Sequence, residues 1–191
     1  MTKSAADIRD LFVKQLKMTE NAARFYWGRE TDWTKIATDA LVRVGDDIFR
    51  KERPGVAIEK AAKRNRSKPG RSEHLTIDVV VYEEGFGQIH FAAEHENKFD
   101  LLHLKYCAWK LLHVKSEYRV LVAYCNGRTK GFISPDDMAD ELRTLMNNKL
   151  RGRELTLVAG NRMRLGRGKP KVQVDFDTIF EPKTLVGTAQ A

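Results

Sequence analysis

A mixed α/β domain, one sheet flanked by helices, is the fold class this sequence predicts. Three observations carry it. Apolar residues recur at helical three- and four-residue steps over 4–17, 32–51, 100–115 and 134–149. Apolar, β-branched runs fill 75–84, 87–96 and 117–125. The two kinds of segment then alternate, as they do when crossover helices pack on a sheet. With 191 residues, 42% of them hydrophobic and 31% charged, the chain suits one domain with one sizeable core.

The elements follow in order. Ile8, Leu11, Phe12 and Leu16 form one stripe of a short amphipathic helix over 4–17. Phe25, Tyr26 and Trp27 read as an aromatic knot, so residues 1–30 are expected to be a helical segment packed on the main domain, residues 31–182. Trp33, Ile36, Ala37, Ala40, Leu41, Val44 and Ile48 mark the clearest helix, capped by Thr31 or Asp32 and ended by Pro54-Gly55. A short helical turn is expected over 56–63. The strands LTIDVVVYEE and GQIHFAAEHE flank Glu84-Gly85-Phe86-Gly87, a hairpin signal.

Leu101, Leu104, Ala108, Leu111 and Leu112 give the next helix its core face. On that helix Tyr106 and Trp109 read as core or helix-packing residues, and Lys105 and Lys110 as a solvated face within reach of phosphates. EYRVLVAYC is apolar enough to be an interior strand. Ser134-Pro135-Asp136-Asp137 has the cap and first-turn proline of a helix that runs to Lys149. ELTLVAG and KVQVDFDTIF are the last strands, and 183–191 reads as a flexible tail.

The net charge of +8 favours polyanionic partners, because lysine and arginine release counterions from a phosphate backbone. Much of it lies in two Gly- and Pro-containing clusters that read as loops, 63–71 and 162–171. Arg64, Arg66, Lys68 and Arg71 are the nucleic-acid-binding candidates in the first. No apolar stretch reaches the length of a membrane helix, and MTKSAADIRDLF lacks the apolar core of a secretion signal, so no membrane association and a cytoplasmic location are expected. Cys107 and Cys125 form no CxxC pair and fit a reduced compartment without a structural zinc site. The five histidines lack HExxH spacing, and neither a phosphate-cradling glycine loop nor a GxSxG elbow is present.

Chemistry concentrates at Asp78 and at Glu94-His95-Glu96-Asn97-Lys98. Side chains alternate along a strand, so Glu94, Glu96 and Lys98 share one face, opposite Ala93 and His95. Asp78, on the neighbouring strand, can lie across from them. Three carboxylates so placed repel one another unless a cation or a lysine lies between. Mg2+ (or Mn2+) suits such a site, taking one or two carboxylates plus water and phosphate oxygens.

In these residues the sequence resembles the PD-(D/E)XK nuclease superfamily, with its restriction-endonuclease-like fold. The resemblance covers roughly 32–125 and rests on Ile77-Asp78 followed by the Glu-His-Glu-Asn-Lys run, in matching helix–hairpin–helix–strand order. It implies a magnesium-activated water that attacks a phosphodiester of nucleic acid, with DNA as the first candidate and a homodimer as one possible assembly. Asp78 is a metal ligand in either of two alignments. One makes Glu94 the second ligand, with the His95 backbone carbonyl beside it, Glu96 orienting the water and Lys98 as supporting cation. The other makes Glu96 the ligand and gives Lys98 the lysine role. Family members sometimes add an acid from the preceding helix; Asp39, Asp46 and Asp47 occupy that helix, and each also reads as an exposed helix residue. The rival readings are a catalytically inactive module of the same fold that binds nucleic acid or a protein partner, and a regulatory interaction protein with a basic surface.

Overall fold

Two apolar clusters, one on each side of a six-stranded sheet, organise the chain. The computed structural model describes residues 3–18, 30–49, 56–60, 77–85, 87–97, 100–125, 134–149, 155–165 and 171–178. The elements are α1 (Ala5–Met18), α2 (Glu30–Phe49), β1 (Val56–Lys60), β2 (Val79–Glu83), β3 (Ile89–Glu96), α3 (Leu101–His113), β4 (Tyr118–Cys125), α4 (Pro135–Lys149), β5 (Thr156–Leu165) and β6 (Lys171–Thr178). The strands lie side by side in chain order. β1, β2 and β3 pair antiparallel, β4 runs parallel to both β3 and β5, and β6 returns antiparallel to β5.

This order follows from the connections. Parallel neighbours need a crossover, and α3 and α4 are those crossovers. Two successive crossovers of the same hand, stepping in the same direction across the sheet, put both helices on one face. There α3 and α4 cover Val80, Ala92, Leu121, Ala123 and Leu157. The other face, with Val79, Val81, Phe91, Ala93, Val120 and Val122, is covered by α1 and α2. α1 thus shares a core with the sheet through Ile8, Phe12 and Leu16, and Gln15 ties it to α2 by donating to Asp47 Oδ2 at 2.7 Å. β4 is buried on both faces from Val120 to Cys125, which is why its sequence is continuously apolar.

Local chemistry sets the boundaries. Ser4 and Asp7 cap α1 reciprocally: the Asp7 amide donates to Ser4 Oγ at 3.2 Å, and the Ser4 amide donates to Asp7 Oδ2 at 2.9 Å. Ser134 and Asp137 repeat the arrangement at α4. In the β2–β3 hairpin Gly85 takes φ +81°, a backbone conformation that costs glycine little. The register shifts between Val81 and Tyr82, a bulge beside that turn.

Several expectations from the sequence need correction. Val56–Lys60 is a strand rather than a helical turn, paired from Val56↔Glu83 to Lys60↔Val79. Its pairing partners are 19 to 27 residues away, so the local sequence showed only the weak alternation of Val56 and Ile58. α2 starts at Glu30, ahead of the cap expected at Thr31 or Asp32. Arg162–Leu165, expected in a basic loop, extends β5. Tyr106 and Trp109, expected to pack inside, are 53% and 44% exposed. The aromatic knot at Phe25–Trp27, the basic run 63–71 and the tail lie outside the described residues. Among the described residues no helix is long and apolar enough to cross a membrane.

Candidate active site

The register of the β2–β3 hairpin brings the acids together. Val79 pairs with Ala93, so Asp78 and Glu94 come level one step further on. Both point to the α3 side of the sheet, since Val80 and Ala92 on the same alternation belong to the α3–α4 cluster. Asp78 occupies a bend immediately before β2, rather than the strand itself. Its Oδ2 accepts the His95 backbone N–H at 2.8 Å. One oxygen of Asp78 is therefore a structural acceptor that fixes the end of β3.

Glu94 is buried, only 3% exposed. Its cation comes from α3: Lys110 Nζ lies 2.6 Å from Glu94 Oε1. Burial first, and then the Asp78 charge, push the Glu94 carboxyl up from 4.5 to about 8, against the pull of Lys110 and Cys107. Burial works against the Lys110 ammonium, but its bond to Glu94 and the Glu94 charge outweigh it, and its pKa is raised. Near neutral pH the carboxyl is therefore close to its titration point, where an added cation readily draws off the proton.

Glu96 lies two residues on, half-buried, with Cys107 Sγ 3.5 Å from its Oε2. Burial and the Glu94 and Glu96 charges push the Cys107 thiol up, so it stays protonated and serves as a donor rather than a nucleophile. His95 faces the other way. Its Nε2 meets Tyr124 Oη at 2.8 Å, and burial pushes its imidazole down to about 3, which keeps it neutral. Asn97 Nδ2 reaches Thr34 Oγ1 on α2. The two faces of the β3 end are thus held separately, by α3 through Lys110 and by α2 through Asn97.

Of the residues expected from sequence, the structure brings Asp78 and Glu94 level with each other, and Glu96 follows two residues on along β3. Lys98, Arg64, Arg66, Lys68 and Arg71 lie outside the described residues. Of the candidate acids of α2, Asp39 pairs with Lys35 at 3.0 Å, and Asp47 accepts from Gln15. Lys110, expected on a solvated face, is a member of the site. Its sequence signal was its place beside Leu111 and three residues after Cys107, at the edge of the helix's core stripe. Lys105 is likewise paired, with Glu141 of α4 at 2.5 Å.

Among the described residues no group of three or more His, Cys, Asp or Glu side chains is placed to hold a metal ion. The two facing carboxylates, Asp78 and Glu94, fit a hard cation that completes its shell with water and phosphate oxygens. They do not form an all-protein cage. Comparison with protein-family models, curated proteins and solved structures returns no match.

Proposed function

We propose that this chain is a metal-dependent nuclease of the restriction-endonuclease-like type, acting on the phosphodiester backbone of nucleic acid, with DNA the first candidate substrate. The observation that carries this reading is the convergence of Asp78 and Glu94 on one face of the sheet, with Lys110 bound to Glu94 at 2.6 Å. The order α2, three antiparallel strands, α3 and a parallel β4 supports it, as does the net charge of +8.

Asp78 and Glu94 would hold magnesium or manganese, with the His95 carbonyl as a further candidate donor. The ion would lower the pKa of a bound water and offset charge on the scissile phosphate. The chain's own residues do the rest. The His95 N–H holds Asp78 in place. Glu96 or Lys98 orients the attacking water. Lys110 balances the carboxylate charge and offers its ammonium to a phosphate oxygen.

The test is cleavage of a labelled DNA with and without magnesium, in the wild type, Asp78→Asn and Glu94→Gln. Both substitutions keep an acceptor oxygen of the same size, so folding should survive. Loss of magnesium-dependent cleavage in each variant is the expected result. Undiminished cleavage in both would refute the assignment.

One observation favours a second reading, a non-catalytic nucleic-acid-binding module. Glu94 is nearly inaccessible and already paired with Lys110. On that reading the wild type binds DNA but cleaves none at any magnesium or manganese concentration.

A further inference from the structure

Helix α3 carries a stripe that its core face does not explain. Leu102, Tyr106, Trp109 and His113 follow one another at steps of four, three and four residues, so they line one side of the helix. The side opposite them, Leu104, Cys107, Ala108 and Leu111, is buried against the sheet. Leu102 is 76% exposed, and Tyr106 and Trp109 are the exposed rings noted above. Isolated exposed apolar residues are ordinary, but a contiguous row of them marks an interaction surface.

The rings are already arranged as a platform. Tyr106 and Trp109 lie nearly parallel, 15° apart in plane, with centroids 6.1 Å apart. Trp109 and His113 are 4.3 Å apart. Basic residues border the row on both sides, Lys105 on one and Lys110 on the other, each ion-paired with an acid of another element, Glu141 and Glu94, and the helix itself contains no Asp or Glu. Lys110 Nζ lies 5.3 Å from the centre of the Tyr106 ring while it meets Glu94 at 2.6 Å. The row is therefore continuous with the candidate active site through one side chain.

The geometry points to α3 as a stacking platform for unpaired nucleobases: Tyr106 and Trp109 receive the bases of a single-stranded segment. Three of the four members are rings and only Leu102 is aliphatic, which suits flat bases better than the side chains of a partner helix. Charge complementarity selects the occupant, because a chain of net charge +8 attracts a polyanion and repels a second copy of itself. The inference rests on the nucleic-acid reading above for its ligand class, but not on cleavage. It adds that the nucleic acid is at least locally unpaired where it meets α3.

The experiment is fluorescence anisotropy of the full chain with a labelled single-stranded oligodeoxynucleotide, an abasic strand of the same length and a duplex. Chelator in the buffer removes cleavage from the readout. Trp109→Ala and Tyr106→Ala are each expected to weaken single-strand binding roughly 5- to 150-fold while leaving the weaker abasic-strand binding unchanged. Trp109→Phe should restore most of the affinity. Unchanged single-strand binding in the alanine variants overturns the proposal, as does an equal loss on the abasic strand. A shift from dimer to monomer in sedimentation, without loss of oligonucleotide binding, also overturns it and assigns the row to a second copy. Failure of cleavage on adding magnesium would count against the nuclease reading alone.

Discussion

Glu94 concentrates the electrostatics of the molecule in one carboxyl. Its folded-state pKa, about 8, is above the ordinary 4.5, so the folded chain holds a proton there that the unfolded chain releases. The stability gained is fully present below pH 4.5 and is lost as pH rises through 8. Across that window the wild type should therefore lose stability relative to Glu94→Gln by an amount on the order of a few kcal/mol. Denaturant unfolding of both at pH 6 and pH 9 checks it; parallel pH dependences would show that Glu94 is not held in this way. Lys110→Met leaves the carboxyl buried without its cation. It should steepen the loss of stability with pH, with a cost at alkaline pH of roughly 3–5 kcal/mol, the usual penalty for breaking a buried pair.

At the scale of elements, the approach of α2 to the hairpin is set by a glycine. A Cβ at Gly45 would come within 2.7 Å of Val81 Cγ2, and Val81 is a buried, β-branched residue with little room to turn. Helix propensity alone favours Gly45→Ala by about 1 kcal/mol, but overpacking a core costs about 1–3 kcal/mol. The substitution is therefore expected to lower stability, measured by chemical denaturation. A more stable variant would mean that α2 is free to move away from β2. The same scale shows what local sequence could reveal. α3, β3, β4 and α4 were legible because their own periodicity, caps and turn residues specify them. β1 was not, because five residues with two inward side chains become a strand only when β2 supplies the ladder. The acids of the site were legible from the alternation of β3. Lys110 was not, because only the packing of α3 on β3 brings a lysine from a sixteen-residue separation onto Glu94.

Across the whole molecule, the sheet separates two tasks. α1 and α2 close one face around an apolar core, while α3 joins the other face to the carboxylates and turns an aromatic row outward. The net charge of +8 adds a long-range field that favours polyanions. On the proposed nucleic-acid reading, affinity for DNA should fall linearly with salt on a double-logarithmic plot, by about 0.9 per phosphate neutralised. Replacing Arg64, Arg66, Lys68 and Arg71 together by alanine should flatten the slope, and an unchanged slope would remove that cluster from the interface. Whether Asp78 and Glu94 form a metal centre is decided most directly by a crystal soaked in manganese, read from the anomalous signal. The expected result is one ion bound by Asp78 and Glu94, with the Lys110 ammonium moved away from Glu94 Oε1. An ion bound only elsewhere, or none with the Lys110–Glu94 pair intact, would contradict the proposed site.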